Sequence, residues 1–137
     1  MEPRVSYLVG RLDRVVRRRL AGALGGHELS LQEYTTLSVL RARSGLSNAQ
    51  LARRSLITPQ AMNEVLARLE GRGLVLRHPD RVQGRIRPAE LTASGKRLLA
   101  RADRSVDAAE RELFAGADDT RLRELLAGAL RGADQGP

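Results

Sequence analysis

The sequence predicts a mainly α-helical domain with one small β-hairpin. The chain has 137 residues, the length of a single domain, and 42% of them are hydrophobic, as in a globular protein. Only Tyr7, Tyr34 and Phe114 are aromatic, so the core must consist of Leu, Val, Ile and Ala. A small core of this kind favours helices, and a dimer that buries more apolar surface would stabilise it.

The composition excludes several classes of function. Without cysteine, the chain cannot form disulfides, zinc–thiolate sites or thiol nucleophiles. His27 and His78 are isolated, and neither a Ser-His-Asp order nor a phosphate-binding glycine loop is visible, so we expect no metal, no cofactor and no enzyme. No apolar run approaches the roughly 18 residues of a membrane span. No signal peptide is recognisable either, which predicts a cytoplasmic protein with no membrane segment.

The charge of the chain gives the first positive indication of function. Lys and Arg number 24 against 16 Asp and Glu, which leaves a formal charge of +8. An excess of this size suggests a polyanionic partner, most often nucleic acid. Coding bias in the source genome alone would account for the preference for Arg over Lys, but it explains the net excess less readily. The scarcity of aromatic residues excludes a stacking platform for single-stranded nucleic acid.

The N-terminal third predicts two helices. From residue 5 to 24 apolar residues recur at spacings of three and four, and the glycine pair 25–26 ends this amphipathic helix. Ser30 and Glu33 have the spacing of a capping box, so a second helix begins at the next residue and ends before Gly45. The apolar positions expected to be buried are Val5, Leu8, Leu12, Val15, Val16, Leu20, Leu31, Tyr34, Leu37 and Leu40.

Two shorter helices follow. Ser47 and Gln50 form a second capping box, and Thr58 caps the next helix with Pro59 in its first position. Two helices joined by a tight turn form a helix-turn-helix, whose second helix can enter the major groove of DNA. This second helix is expected to bury Met62, Val65, Leu66 and Leu69 and to expose Gln60, Asn63, Glu64 and Arg68.

A basic β-hairpin comes next. Residues 74–76 predict a short strand, residues 77–84 have turn chemistry, and residues 85–91 return as a second strand. Pro88 cannot donate a ladder hydrogen bond, so the second strand is expected at an exposed edge. A hairpin directly after a helix-turn-helix makes the motif a winged one. Its arginines are Arg77, Arg81, Arg85 and Arg87.

The C-terminal third predicts two more helices. Thr92 caps a long helix, and Asp118 caps a final one. Asp103 and Asp107 lie one turn apart, and because arginines adjoin them we expect ion pairs within the helix rather than paired catalytic carboxylates. The apolar positions expected to be buried are Leu98, Leu99, Ala102, Val106, Ala109, Leu113, Leu122, Leu125, Leu126 and Leu130.

Four short motifs occur in a specific order and spacing. They are SNAQLARR at residues 47–54, LARLEGRGLVL at 66–76, RHPD at 77–80 and LTASGK at 91–96. With these motifs the chain resembles the MarR family of dimeric bacterial transcription regulators, in element order over its whole length. The resemblance implies a two-fold homodimer with intertwined first and last helices. It also implies an inverted-repeat operator and release from DNA by a small aromatic or phenolic ligand.

The resemblance further implies how the single domain, residues 1–137, is organised. Residues 31–91 would form the winged helix-turn-helix lobe that binds DNA. Residues 4–24 and 92–131 would form the dimerisation helices.

Three departures from the family's pattern matter. The wing has Gln83 where the family usually has an aspartate, so the wing arginine, Arg85, is kept without its ionic brace. Glu64 stands where the recognition helix often has an arginine; a carboxylate repels phosphates but can accept from a cytosine amino group. The cysteine of the oxidation-sensing branch is absent, which excludes that branch.

The candidate DNA contacts lie on the helix-turn-helix and the wing. Gln60 and Asn63 carry amides suited to bidentate recognition of adenine. Ser47 and Thr58 cap helices whose free N–H groups suit phosphates. The full candidate set is Ser47, Gln50, Thr58, Gln60, Asn63, Glu64, Arg68, Arg77, Arg81, Arg85 and Arg87, with Arg53 and Arg54 as further candidates for backbone contacts.

The sequence therefore predicts a homodimeric regulator, more often a repressor than an activator, that occludes an inverted-repeat operator on double-stranded DNA. Its effector, if it has one, would be a small aromatic or anionic molecule, with Tyr7, Arg14, His27 and Tyr34 as candidate contacts. Two alternatives stay open. One is a nucleoid protein that binds DNA without sequence preference, and the other is a winged-helix adaptor that contacts protein.

Overall fold

Six helices and a pair of short strands make up the described part of the chain. The computed structural model describes residues 1–78 and 88–134. The elements in chain order are α1 Val5–Gly25, α2 Leu31–Ala42, α3 Asn48–Arg54, α4 Pro59–Gly71, β1 Val75–Arg77, β2 Ala89–Leu91, α5 Ala93–Leu113 and α6 Asp119–Asp134. This order confirms the predicted mainly helical fold with a small β-hairpin.

Side-chain caps fix where five of the helices begin, as the sequence predicts. Ser30 and Ser47 form both halves of their capping boxes at the start of α2 and α3. Thr58, Thr92 and Asp118 each accept a hydrogen bond from the N–H three residues on, at 3.0–3.1 Å. Because a cap satisfies backbone donors that the helix itself leaves free, these short polar residues set the boundaries of α4, α5 and α6.

The strand pair occupies three residues on each side within the described part of the chain. β1 runs antiparallel to β2, with Val75 opposite Leu91 and Arg77 opposite Ala89. The second strand was predicted over residues 85–91, but Pro88 lies outside the ladder because it has no N–H to donate. Its carbonyl accepts from the His78 N–H at 3.0 Å. Most of the predicted turn and the start of the second strand lie outside the described residues.

The core lies between α2, α3, α4, β1 and α5, and the C-terminal end of α1 closes it. The largest fully buried side chains come from all of these elements except β1, which adds Val75 at 2% exposure. They are Leu24, Leu37, Leu51, Met62, Leu66, Leu69 and Leu99, with Val65 and Thr36 beside them. The four residues predicted to form the buried face of α4 are therefore confirmed.

The outer ends of the fold do not bury their apolar residues within this chain. In α1, Leu8 is 47% exposed and Val5 is 76% exposed, although the spacing predicts burial for both. No residue of α6 is buried. The predictions of burial fail for Val5, Leu8, Val15, Leu125, Leu126 and Leu130, which are exposed, and Leu12, Val16 and Leu122 are only partly buried. The helical periodicity is correct, but the described residues of the single chain leave these faces uncovered.

Among the described residues, no helix is both long enough and apolar enough to cross a bilayer.

Candidate nucleic-acid interface

The exposed face of α4 is the centre of the candidate interface. Thr58 caps the helix and Pro59 occupies its first position, so the helix begins sharply after the turn from α3. Its apolar side is fully covered by the core, which turns the opposite side to solvent. The four polar residues predicted to be exposed, Gln60, Asn63, Glu64 and Arg68, are all exposed.

Two amide side chains connect α3 to this exposed face. Asn48 donates from Nδ2 to Oδ1 of Asn63 at 2.9 Å and to the carbonyl of Pro59 at 3.3 Å. The Oδ1 atom of Asn48 is buried and finds no partner among the described residues. Sequence reasoning missed Asn48, because the contact joins residues 15 apart in the chain and no local pattern signals it.

Gln50 and Ser47, both among the candidate DNA contacts, are already engaged with each other. The Gln50 side chain accepts from the Ser47 N–H at 2.9 Å, and the Ser47 hydroxyl accepts from the Gln50 N–H at 3.2 Å. The Oε1 atom of Gln50 is thus committed to the cap. Its amide N–H₂ group is the part of this exposed residue that suits a phosphate or a base.

The strand pair lies beside the helix-turn-helix and carries part of the wing. Arg77 is half-buried at the end of β1, and its Nε atom is buried without a hydrogen-bond partner in the described chain. On the same hairpin, His78 Nε2 lies 2.8 Å from Oε1 of Glu90. The other wing candidates, Arg81, Arg85 and Arg87, lie outside the described residues, as does Gln83, so their roles stay predictions.

A polar cluster joins α2 to the long helix α5. Tyr34 on α2 donates to Oδ1 of Asp103 at 2.6 Å, and Arg41 donates to the other carboxylate oxygen. The prediction of ion pairs within α5 is wrong for Asp103, because its partners come from a helix that is remote in sequence. The carboxylate therefore ties α2 to α5 rather than bracing one helix.

This cluster shifts the ionisation of its members. Burial raises the pKa of Tyr34 to about 12, and the hydrogen bond to Asp103 adds to the effect. Burial opposes ionisation of Asp103, but the hydrogen bonds from Arg41 and Tyr34 outweigh it, so the Asp103 pKa lies below its usual range. The hydrogen bond to Asp103 raises the pKa of Arg41. At neutral pH the cluster is a neutral phenol, a carboxylate and a guanidinium.

The four residues predicted to contact an effector lie in two different places. Tyr34 is bound to Asp103, and His27 Nε2 lies 2.8 Å from the Ser105 hydroxyl, so both residues are tied to α5. Tyr7 and Arg14 instead line a shallow groove on the exposed side of α1.

A different groove of about 190 Å³ lies where α1 meets α2 and the α3–α4 turn. Val16 and Ile57 give it apolar walls, and Arg17, held by Asp13 at 3.0 Å, gives it a cation. The Ser55 hydroxyl is buried beside it without a hydrogen-bond partner in the described chain. The full lining is Asp13, Val16, Arg17, Leu31, Gln32, Thr35, Ser55, Leu56 and Ile57.

The polar groups of this interface are amides, hydroxyls and the guanidinium groups of arginines. No group of three or more His, Asp or Glu side chains within residues 1–78 and 88–134 is placed to hold a metal ion. An exposed polar helix face beside a basic hairpin has the shape and the donor groups to enter the major groove of a DNA duplex.

A family model, a relative in sequence and two solved structures all place this chain among the same kind of protein. Residues 27–86 match the model of the MarR family. The HTH-type transcriptional repressor Rv2887 of Mycobacterium tuberculosis is 41% identical over 121 residues, which cover 88% of this chain and 87% of the relative. The crystal structure of the M. tuberculosis protein with DNA has a TM-score of 0.76 at 36% identity and covers 95% of this chain and 98% of that chain. Its complex with salicylic acid has a TM-score of 0.75 at 38% identity, with coverage of 95% and 96%.

Proposed function

The chain belongs to the MarR family and is a transcription regulator rather than an enzyme; on this premise, we propose that it represses transcription by covering an inverted-repeat operator as a homodimer. The observation that carries the proposal is the exposed polar face of α4, which the buried face opposite holds in place beside the basic hairpin. The formal charge of +8 supports a duplex as the partner, since DNA presents a dense array of phosphates. Such a regulator would act in the cytoplasm, where the chromosome is.

In the proposed complex, α4 lies in the major groove with its N-terminal end nearest the bases. Gln60 and Asn63 then face base edges, whereas Arg68 and the wing arginines meet phosphates or the minor groove. A two-fold dimer would set its two recognition helices about one helical turn apart, roughly 34–36 Å, to match consecutive half-sites. Occlusion of a promoter by this complex would repress transcription.

The open apolar faces of the terminal helices support the homodimer. Leu8 on α1 and Leu126 on α6 are each more than 40% exposed, and α6 buries none of its residues within one chain. Exposed apolar surface on this scale marks an interface, and a second copy would cover it with the same residues. We therefore assign residues 4–24 and 92–131 to dimerisation and residues 31–91 to DNA binding.

We place a small anionic effector in the groove between α1, α2 and the α3–α4 turn. The groove combines apolar walls with the Arg17 guanidinium, whose Nε is paired with Asp13, and with the Ser55 hydroxyl, which has no partner among the described residues; these groups suit an aromatic carboxylate. Its volume of about 190 Å³ exceeds the roughly 150 Å³ of a cavity that binds benzene. The salicylic acid complex of the M. tuberculosis relative supports this ligand class. None of the four effector residues predicted from sequence lines this groove.

A pair of matched variants tests the effector site. Salicylate binding to the wild-type chain should be measured by calorimetry and compared with binding to Arg17→Met and Arg14→Met. If the proposed groove is the site, Arg17→Met weakens binding by about tenfold or more, since a hydrogen bond to a charged group contributes about 1.5–3 kcal/mol. Arg14→Met should leave the affinity unchanged. The reverse pattern would return the site to the groove near Tyr7.

The DNA-binding proposal is tested by selection from fragments of the source genome, followed by fluorescence anisotropy over a salt series. We expect an inverted repeat bound about 10³-fold or more tightly than random duplex. Salt-sensitive binding without a shared sequence would instead favour the nucleoid protein. Absence of binding at low salt would leave the protein adaptor.

A further inference from the structure

The hydrogen bonds of Asn48 determine which atoms Asn63 presents on the exposed face of α4. An asparagine side chain has an oxygen that only accepts and an NH₂ group that only donates, so its chemistry depends on which end faces outward. Here the side chain of Asn63 is held through a single atom, its Oδ1, by Nδ2 of Asn48 at 2.9 Å.

The carbonyl of Pro59 fixes the orientation of this pair. A backbone carbonyl can only accept, so the atom of Asn48 that lies 3.3 Å from it must be the nitrogen. The same nitrogen lies 2.9 Å from Asn63, which must then turn its oxygen toward Asn48. Rotating the Asn48 amide would place two acceptors together, and it would bring no partner to the buried side that now holds the orphaned Oδ1 atom.

We propose that Asn48 is a positioning residue that makes Asn63 read DNA through its donors. With its oxygen turned toward Asn48, Asn63 presents its Nδ2 hydrogens to the groove, where they suit the O6 and N7 acceptors of guanine or the O4 acceptor of thymine. Bidentate recognition of adenine needs an acceptor as well as a donor, so this arrangement replaces the adenine contact expected from the sequence for Asn63. The inference rests on the proposed DNA-binding function and sharpens it at one base position.

Three substitutions test the orientation, and a fourth serves as a control. Asn63→Ala identifies the base position that depends on this side chain. Asn48→Asp is nearly isosteric but supplies only acceptors, so it no longer donates to the Asn63 oxygen, and it accepts from Asn63 once that side chain turns its nitrogen inward and exposes its oxygen. Asn63→Asp exposes an acceptor directly. Gln60→Ala changes a side chain on the same face that makes no hydrogen bond to the pair among the described residues, and it controls for general loss of base reading.

The readout is the base preference at each operator position, measured by competitive binding to duplexes that vary one base pair at a time. At the position lost in Asn63→Ala, the wild type should prefer guanine or thymine, by about 5- to 150-fold for a good bidentate pair. Asn48→Asp and Asn63→Asp should both shift that preference toward cytosine or adenine, whose amino groups donate. Gln60→Ala should alter a different position. Circular dichroism checks that every variant is folded.

The outcomes separate this inference from the proposed function. If the wild type selects no operator, the proposed function fails and the inference fails with it. If the wild type selects an operator but prefers adenine at the position that depends on Asn63, only the inference fails. The same conclusion follows if Asn48→Asp leaves that preference unchanged. A shift common to both aspartate variants supports it.

Discussion

The helix-turn-helix region and the terminal helices differ in how completely each covers its own apolar surface. From α2 to the first turns of α5, the apolar sides of the helices meet within one chain, and α4 buries every residue of its apolar face. The first half of α1 and all of α6 leave theirs open. The part that would read DNA thus has its core packed within one chain, whereas the distance between two such parts would be set by contacts between chains. An effector that alters those contacts could change the spacing without deforming the reading surface.

The same truncation in the two regions should have very different effects. Leu69 is fully buried, so Leu69→Ala should lower the free energy of unfolding by about 2–5 kcal/mol through lost burial and a cavity. Leu126 is 43% exposed in one chain, and Leu126→Ala should have a small effect that depends on protein concentration. Urea unfolding at several concentrations measures both. If both variants lost the same free energy of unfolding at every protein concentration, the proposed difference between the two regions would be wrong.

A smaller effect on the free energy of unfolding is expected at Gly95, in the first turn of α5. The Cβ atom of an alanine at position 95 would overlap the carbonyl oxygen of Leu74, which already accepts from Thr92 N at 3.1 Å. Gly95→Ala should therefore cost about 1–3 kcal/mol, because the backbone must move apart. The matched change Gly22→Ala meets nothing within 4 Å in α1 and should stabilise by about 0.5–1 kcal/mol. Thermal melts of the two variants should move in opposite directions.

The cluster of Tyr34, Arg41 and Asp103 on α2 and α5 should contribute about 1 kcal/mol to the free energy of unfolding. This contribution should depend on pH. Asp103→Asn removes the partner of a half-exposed arginine and of Tyr34, so the loss is modest. Because the Asp103 pKa is lowered in the fold, its contribution is present above pH ~4 and disappears as the pH falls through the folded-state pKa. The raised Tyr34 pKa matters in alkali. The stability contributed by neutral Tyr34 is lost as the pH rises from ~10 to about 12.

Urea unfolding across pH, with Asp13→Asn as an exposed control within one helix, measures this contribution. The difference between the wild type and Asp103→Asn should shrink in acid, and ultraviolet titration should show a lower Tyr34 pKa in the variant. A constant difference from pH 3 to pH 8 would rule out the proposed role of the carboxylate. Asp13→Asn should change stability by only about 0.3–0.5 kcal/mol.

The features predicted correctly are those that depend on neighbours in sequence. Capping at Ser30 and Thr58 and the buried face of α4 follow from spacings of three and four residues, and all are present. Asp103 was misassigned because its partners lie 62 and 69 residues away, beyond any local pattern. Asn48 was missed for the same reason. The burial of Leu8 and Leu126 was misjudged because periodicity identifies an apolar face but not the molecule that covers it.

The smallest effect concerns Leu56, in the turn between α3 and α4. Its φ of 62° lies in the left-handed region, which costs an ordinary side chain about 1–2 kcal/mol, and its side chain is 83% exposed. Leu56→Asn should therefore raise the free energy of unfolding by about 0.5–1 kcal/mol, since Asn tolerates this conformation and little apolar burial is lost. The exposed Leu76→Asn on β1, where φ is not positive, should give no such gain.

Leu56 also lines the groove assigned to the effector, and strain of this kind persists where a side chain serves a site. The same Leu56→Asn protein should therefore bind salicylate more weakly while it unfolds at higher urea. Gain of stability with unchanged salicylate affinity would mean that the leucine contributes nothing to that groove.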